Sequence, residues 1–199
     1  TALIGKWHLS NNITDPNSMG IDYFSGIIGG GVSSYTNWKE VTNGSRTDNT
    51  TYTTTAFSSS AIDWISEREK PWFLWLAFNA PHTPFHLAPA NLHRQGSLPS
   101  DDASIAANPL PYYFSSIEAL DKEVGELLEQ LKADGVLNNS IIFFWSDHGG
   151  NLLRQKRAVG DSGLHVPLIV RYPDGYRAGE TENRLVSLMD LGPTVLSLI

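Results

Sequence analysis

Three apolar runs in this chain each end in a polar cluster that contains a histidine. Ala2-Leu3-Ile4 is followed by Gly5-Lys6-Trp7-His8, Trp72 to Phe78 by Asn79-Ala80-Pro81-His82, and Ile141 to Trp145 by Ser146-Asp147-His148-Gly149. Imidazoles exchange protons near neutral pH, a lysine ammonium holds an anion, and an aspartate beside a histidine ligates a cation. Taken singly, each cluster also has a plain reading. Asp147-His148-Gly149 could be a turn closed by an Asx bond, Lys6-Trp7-His8 a solvated strand end, and Pro81-His82-Thr83-Pro84 a rigid turn with a structural histidine. The argument for chemistry is that all three sit at the same end of an apolar run. His86, His93 and His165 show no such convergence and read as structural or surface residues.

Elements must deliver those clusters to one place. Ile141-Ile142-Phe143-Phe144-Trp145 is an uninterrupted apolar run, the pattern of a strand covered on both faces, and reads as a central parallel strand. Before it, Ile117, Leu120, Val124, Leu127, Leu128 and Leu131 recur at three- and four-residue steps. They predict an amphipathic helix whose start is marked by the capping-box spacing of Ser115 and Glu118. Ser60 to Lys70 reads as a helix leading into the strand at Trp72 to Phe78. Val166 to Val170 reads as a strand that starts at or beside Pro167, and Pro193 suits a first helical turn. The stretches 37–59 and 87–109 lack periodicity and are expected to be long surface excursions. Helices alternating with buried strands predict an α/β fold with a largely parallel central sheet. In such sheets ligands bind beyond the carboxyl ends of the strands. If the three strands are parallel neighbours, Lys6, His8, His82, Asp147 and His148 share one rim.

Composition narrows the partners. The 199 residues are 41% hydrophobic and 18% charged, which fits a packed domain, and the net charge of −7 opposes a nucleic acid backbone. No run reaches the roughly 18 apolar residues of a membrane span. With no cysteine, the chain has neither a disulfide nor a thiolate zinc site.

Gly5-Lys6-Trp7-His8-Leu9 resembles the second signature of the sulfatases, and Asn79-Ala80-Pro81-His82-Thr83-Pro84 resembles their Pro-His-x-Pro segment. Further on, Phe144 to Gly150 resembles the family's metal-binding strand end. Arg154 to Arg157 with Asp161 to Pro167 resembles its downstream lysine segment, and Leu185 to Leu198 its Asp-x-x-Pro-Thr helix. The pieces occur in family order along essentially the whole chain. The resemblance implies an alkaline-phosphatase-like fold, with residues 1–199 a part of the catalytic domain that is truncated at both ends. It implies that Asp147 and His148 bind a divalent cation, usually calcium. Many members have Asn where this chain has His148, and an imidazole suits manganese or zinc better than calcium. Lys6 and Lys156 would hold the sulfate oxygens. His8 would hydrogen-bond the nucleophile and later act as base, and His82 would contact the sulfate and protonate the leaving oxygen.

Sulfatases attack with a formylglycine made from Cys or Ser in a Cys/Ser-x-Pro/Ala-x-Arg motif, beside paired acidic metal ligands. Neither occurs in this sequence. In the family both lie upstream of the Gly-Lys-Trp-His segment, so the expectation is an inactive piece of a sulfuric ester hydrolase, with the missing segment preceding it or supplied as a separate chain. A phosphonate monoester or phosphodiester hydrolase of the same superfamily, or a non-catalytic half of a split or degenerate enzyme, are the competing readings. The substrate implied is a sulfated small molecule or carbohydrate, and the location periplasmic, extracellular or lysosomal.

Overall fold

Ala2, Leu3 and Ile4 are all buried, because their run forms an interior strand of a five-stranded sheet. The computed structural model describes residues 1–152 and 155–198, which fall into two units, Thr1–Gly135 and Val136–Ile199. Arg154 and Ile199 lie outside the described residues. The first unit runs β1 (Ala2–Lys6), α1 (Asp15–Ser18), β2 (Tyr23–Ile27), β3 (Trp38–Thr42), β4 (Ser45–Asn49), α2 (Thr53–Ser66), β5 (Leu74–Ala77), α3 (Asp102–Ala107) and α4 (Leu110–Ala133). Its strand order is β4-β3-β2-β1-β5. β1 pairs in parallel with β2 and with β5, while β3 and β4 complete the sheet as an antiparallel hairpin. The sheet is mixed and flanked by helices, an α/β architecture as the sequence predicts. Among the described residues no helix is long and apolar enough to cross a membrane.

Two stretches depart from the sequence reading for identifiable reasons. Residues 37–59 are not a featureless excursion. Asn43 and Gly44, both at positive φ (46° and 79°), turn β3 into β4 in the two-residue hairpin that Asn-Gly favours. The Asn43 side chain accepts the Phe24 N–H at 2.8 Å and ties that hairpin to β2. α2 then starts at Thr53 rather than Ser60, because burial of Thr53, Thr54 and Phe57 outweighs the weak helix propensity of a threonine run. Similarly, α4 starts at Leu110, with Pro111 in its first turn. Ser115 and Glu118 therefore cap nothing. Ser115 is buried inside the helix, donates to the Tyr112 carbonyl at 2.8 Å and accepts the Ala88 N–H at 3.2 Å. Glu118 accepts from the Arg94 N–H and the Gln95 side chain instead, and those bonds hold its carboxyl below the ordinary range.

The second unit contains β6 (Ile142–Trp145), α5 (Asp161–Leu164), β7 (Leu168–Arg171) and α6 (Leu191–Leu198). β7 begins one residue after Pro167, and Pro193 lies in the first turn of α6, both as expected. The expectation of a central parallel strand at Ile141 to Trp145 is not met. β6 pairs antiparallel with β7, Trp145 opposite Leu168, in a two-stranded sheet. Nor is the run covered on both faces, since Ile141 and Phe144 are exposed and the rest of β6 is half-buried; an apolar run carries no information on the direction of the neighbouring strand.

Glycine is required where β1 is crowded from both sides. Gly5 has φ +115° and lies opposite Gly26 on β2 and Ala77 on β5, and a Cβ on it would overlap the Ala77 carbonyl. Gly5→Ala should therefore destabilise the chain by roughly 3 kcal/mol, combining overpacking with an unfavourable φ. Gly20→Ala, at φ +98° with none of the described residues within 4 Å of the added Cβ, should show the φ cost alone. Urea denaturation of the two variants checks this, and equal losses would contradict the crowding argument.

Candidate functional site

The carboxyl end of β1 delivers Lys6, Trp7 and His8. The parallel ladder runs on past the strand, with Trp7 N–H donating to the Ile27 carbonyl at 2.9 Å and His8 N–H to the Ile28 carbonyl at 3.0 Å. Trp7 is buried edge-on against Phe24 in a cluster with Leu3, Ile28 and Val41, and its indole N–H donates to Ser10 Oγ at 3.0 Å. This anchor fixes the chain between two polar neighbours. Lys6 is half-buried, and His8 is exposed with a left-handed backbone (φ 52°), a conformation uncommon for a residue with a Cβ and frequent at functional turns.

The carboxyl end of β5, in register with β1 through Gly5 and Ala77, delivers Asn79 to His82. His82 N–H donates to the Asn79 carbonyl at 2.9 Å and closes the turn. The His82 ring donates from Nδ1 to the Thr83 carbonyl at 2.9 Å, since a carbonyl only accepts. That bond places the proton of the neutral ring on Nδ1 and its lone pair on Nε2. Asn79 is buried, and neither polar atom of its carboxamide has a hydrogen-bond partner among the described residues.

Lys6, His8 and His82 thus share one edge of the sheet. The residues that bring the two imidazoles together were absent from the sequence reading: Gly29-Gly30-Gly31, which follows β2. A Cβ on Gly30 would run into the His8 ring, and one on Gly31 would come within 3.3 Å of His82 Nδ1. Consecutive Cα atoms are about 3.8 Å apart, so both rings lie against one dipeptide. The signal was available, since three glycines directly after an apolar run mark a close backbone approach.

Behind the His82 turn lies a second group that the sequence reading passed over. The buried Tyr35 hydroxyl donates to the His82 carbonyl at 2.7 Å and reaches the Asn79 carbonyl at 3.2 Å. Its ring stacks on His86 at 4.0 Å between centroids. His86 donates from Nδ1 to the Pro84 carbonyl and accepts from the Tyr52 hydroxyl at Nε2, each at 2.9 Å. Burial pushes the Tyr35 phenol up, pushes Tyr52 up to about 12, and lowers His86. Both phenols therefore stay donors, and His86 stays neutral.

In the second unit, β6 delivers Asp147 and His148. The His148 ring donates from Nδ1 to the Gly149 carbonyl at 2.8 Å, which leaves its basic nitrogen, Nε2, 3.2 Å from Asp147 Oδ2. An unprotonated ring nitrogen facing a carboxylate oxygen at that distance is repulsive, and a shared cation or proton relieves it. A carbonyl on the second ring nitrogen is also the usual support of a metal-bound histidine. The pair fits a divalent ion as two of its ligands. Among the described residues no group of three or more such side chains gathers. Lys156 belongs to the same loop cluster: its N–H donates to the Gly150 carbonyl and Gly149 N–H to the Gly163 carbonyl, both at 3.0 Å.

Comparison with known proteins identifies the family. The sulfatase family model matches residues 1–199. An ulvan-active sulfatase from Formosa agariphila is 37% identical over 155 residues, 77% of this chain and 24% of the relative. Human N-acetylglucosamine-6-sulfatase is 29% identical over 180 residues, 74% of this chain and 32% of the relative. The crystal structure of Ps i-CgsB in complex with k-i-k-neocarrahexaose superposes with a TM-score of 0.79 at 27% identity, over 100% of this chain and 50% of that one. The chain thus spans about a quarter to a third of these two curated relatives. With the family model covering it from end to end, the chain belongs to the sulfatase family.

Proposed function

We propose that residues 1–199 are part of the catalytic domain of a metal-dependent sulfatase that hydrolyses sulfate esters of a carbohydrate. The observation that carries this reading is the placement of Lys6, His8 and His82 at one sheet edge, both imidazoles against Gly30-Gly31, in a chain of the sulfatase family. Sugar as the carrier is supported by a relative named for N-acetylglucosamine 6-sulfate hydrolysis and by a solved neighbour bound to an oligosaccharide.

In this mechanism the Lys6 ammonium holds sulfate oxygens and offsets the charge that develops during transfer, a role that the family resemblance also gives to Lys156. His82, with Nδ1 committed to Thr83, gives up a proton from Nε2 to the leaving sugar oxygen and becomes the neutral ring. His8 hydrogen-bonds the nucleophile and accepts its proton in the second half of the reaction. Asp147 and His148 would be two of the ligands of a divalent cation, calcium in our reading, which would supply positive charge for the transfer. The attacking oxygen would come from the formylglycine of the family, which these residues do not include.

The test is an assay with 4-nitrophenyl sulfate and a sulfated sugar, with divalent metal added, on this chain and on a form extended upstream. The chain alone should show no turnover above buffer, and the extended form should hydrolyse both. Turnover by the short chain that depends on Lys6 and His82 would contradict the placement of the nucleophile. His148 favours a second reading, a phosphonate monoester or phosphodiester hydrolase. A kcat/KM for phenyl phosphonate esters above that for sulfates would select it.

A further inference from the structure

We propose that Tyr35 is a positioning residue for His82: its hydroxyl braces both ends of the turn that aims the imidazole at the leaving oxygen. The proposal rests on the sulfatase reading for its kinetic consequence and on geometry alone for its structural one. One phenol spans the turn, reaching the His82 carbonyl at 2.7 Å and the Asn79 carbonyl at 3.2 Å, while the His82 N–H closes the same turn onto Asn79. The brace is itself rigid. Tyr35 is 3% exposed, its ring stacks on His86 and lies 5.7 Å from that of Tyr52, and its own carbonyl accepts the Thr53 N–H at 2.9 Å at the start of α2. His86, held by Pro84 and Tyr52, fixes the far side of the segment.

On the opposite side the imidazole meets Gly31, so the ring is confined between a glycine and a turn that Tyr35 anchors. Loss of the hydroxyl leaves two carbonyls without their shared donor and frees the turn to rotate. Rotation displaces Nε2, the atom farthest from the backbone, more than it displaces the backbone. A misplacement of about 1 Å at a reacting atom costs on the order of 100-fold in rate. Because the displaced atom carries the proton for the leaving group, the loss should depend on how much the leaving oxygen needs that proton. A sugar alkoxide needs it; a nitrophenolate, already a stable anion, does not.

The experiment uses Tyr35→Phe, which keeps the ring and its stacking and removes only the donor. In the extended, active form, kcat for a sulfated sugar should fall about 10- to 100-fold, with KM and the kcat for 4-nitrophenyl sulfate within about threefold of the parent. Equal losses on both substrates, or none, would overturn the proposal. In parallel, nitrogen-15 spectra of this chain report the His82 tautomer. At a pH alkaline enough to make the ring neutral, the parent should show a single species protonated at Nδ1, and Tyr35→Phe a mixture. A spectrum unchanged by Tyr35→Phe overturns the proposal. If the extended parent hydrolyses no sulfate ester, the sulfatase reading fails, and the spectra alone decide whether Tyr35 positions the ring. Should Tyr35→Phe not fold, 3-fluorotyrosine at position 35 keeps the volume and strengthens the donor. It should then shift the His82 carbonyl carbon resonance, and an unshifted resonance counts against the brace.

Discussion

In the extended enzyme, His82→Gln should lower kcat on a sulfated sugar by about 100- to 10,000-fold, the range usual for loss of a general acid. Glutamine keeps a polar, hydrogen-bonding side chain at the position but has no proton to release at neutral pH. Structure and substrate contact should survive, so KM should change little, and the loss should appear in kcat, as it does when an interaction made only in the transition state is removed. On 4-nitrophenyl sulfate the same variant should lose far less, because the departing phenolate needs no proton. Steady-state kinetics on the two substrates separate the alternatives. A uniform loss on both would mean that His82 serves to bind sulfate and does not act as the acid. The bond from Nδ1 to the Thr83 carbonyl is the structural basis of the prediction, since it determines which nitrogen faces the chemistry.

Much of the proposed catalytic edge was legible in the sequence because its residues directly follow apolar runs that form strands, β1 buried and β5 half-buried with Trp75 exposed. Lys6 and His8 after Ala2-Leu3-Ile4, and His82 after the apolar run ending at Phe78, need only the rule that ligands gather beyond the carboxyl ends of parallel strands. The register of Gly5 with Ala77 shows β1 and β5 to be parallel neighbours. The same rule failed to describe β6, whose partner is antiparallel, because an apolar run says nothing about strand direction. Tyr35 was not legible, since its role lies in two carbonyls 44 and 47 residues away and leaves no local pattern. Ser115 and Glu118 misled for the opposite reason. Their spacing matches a helix start, yet both side chains serve loops at Ala88 and Arg94 in a helix that begins at Leu110. Asn43-Gly44 stands between the two, a strong hairpin signal hidden in a stretch that lacks periodicity.

The proposed metal ligands bear most directly on the claim that this chain carries part of a sulfatase centre whose remaining groups lie elsewhere in the protein. Asp147 and His148 offer one carboxylate and one imidazole, whereas calcium takes about six to eight oxygen ligands and loses affinity with each carboxylate withheld. The chain alone should therefore bind calcium or manganese only at about millimolar levels. Addition of the upstream segment with its paired acids should tighten binding by at least about 100-fold. The melting temperature should then climb with metal concentration, since at 100 times the Kd bound ligand stabilises by about 2.7 kcal/mol. Asp147→Ala in the extended form should return the affinity to near that of the short chain. The deciding measurement is calorimetric titration of calcium and of manganese into the chain, the extended form and the extended Asp147→Ala variant. Weak, then tight, then weak binding is the result this account predicts. Tight binding to the short chain, or undiminished binding after Asp147 is removed, would contradict it.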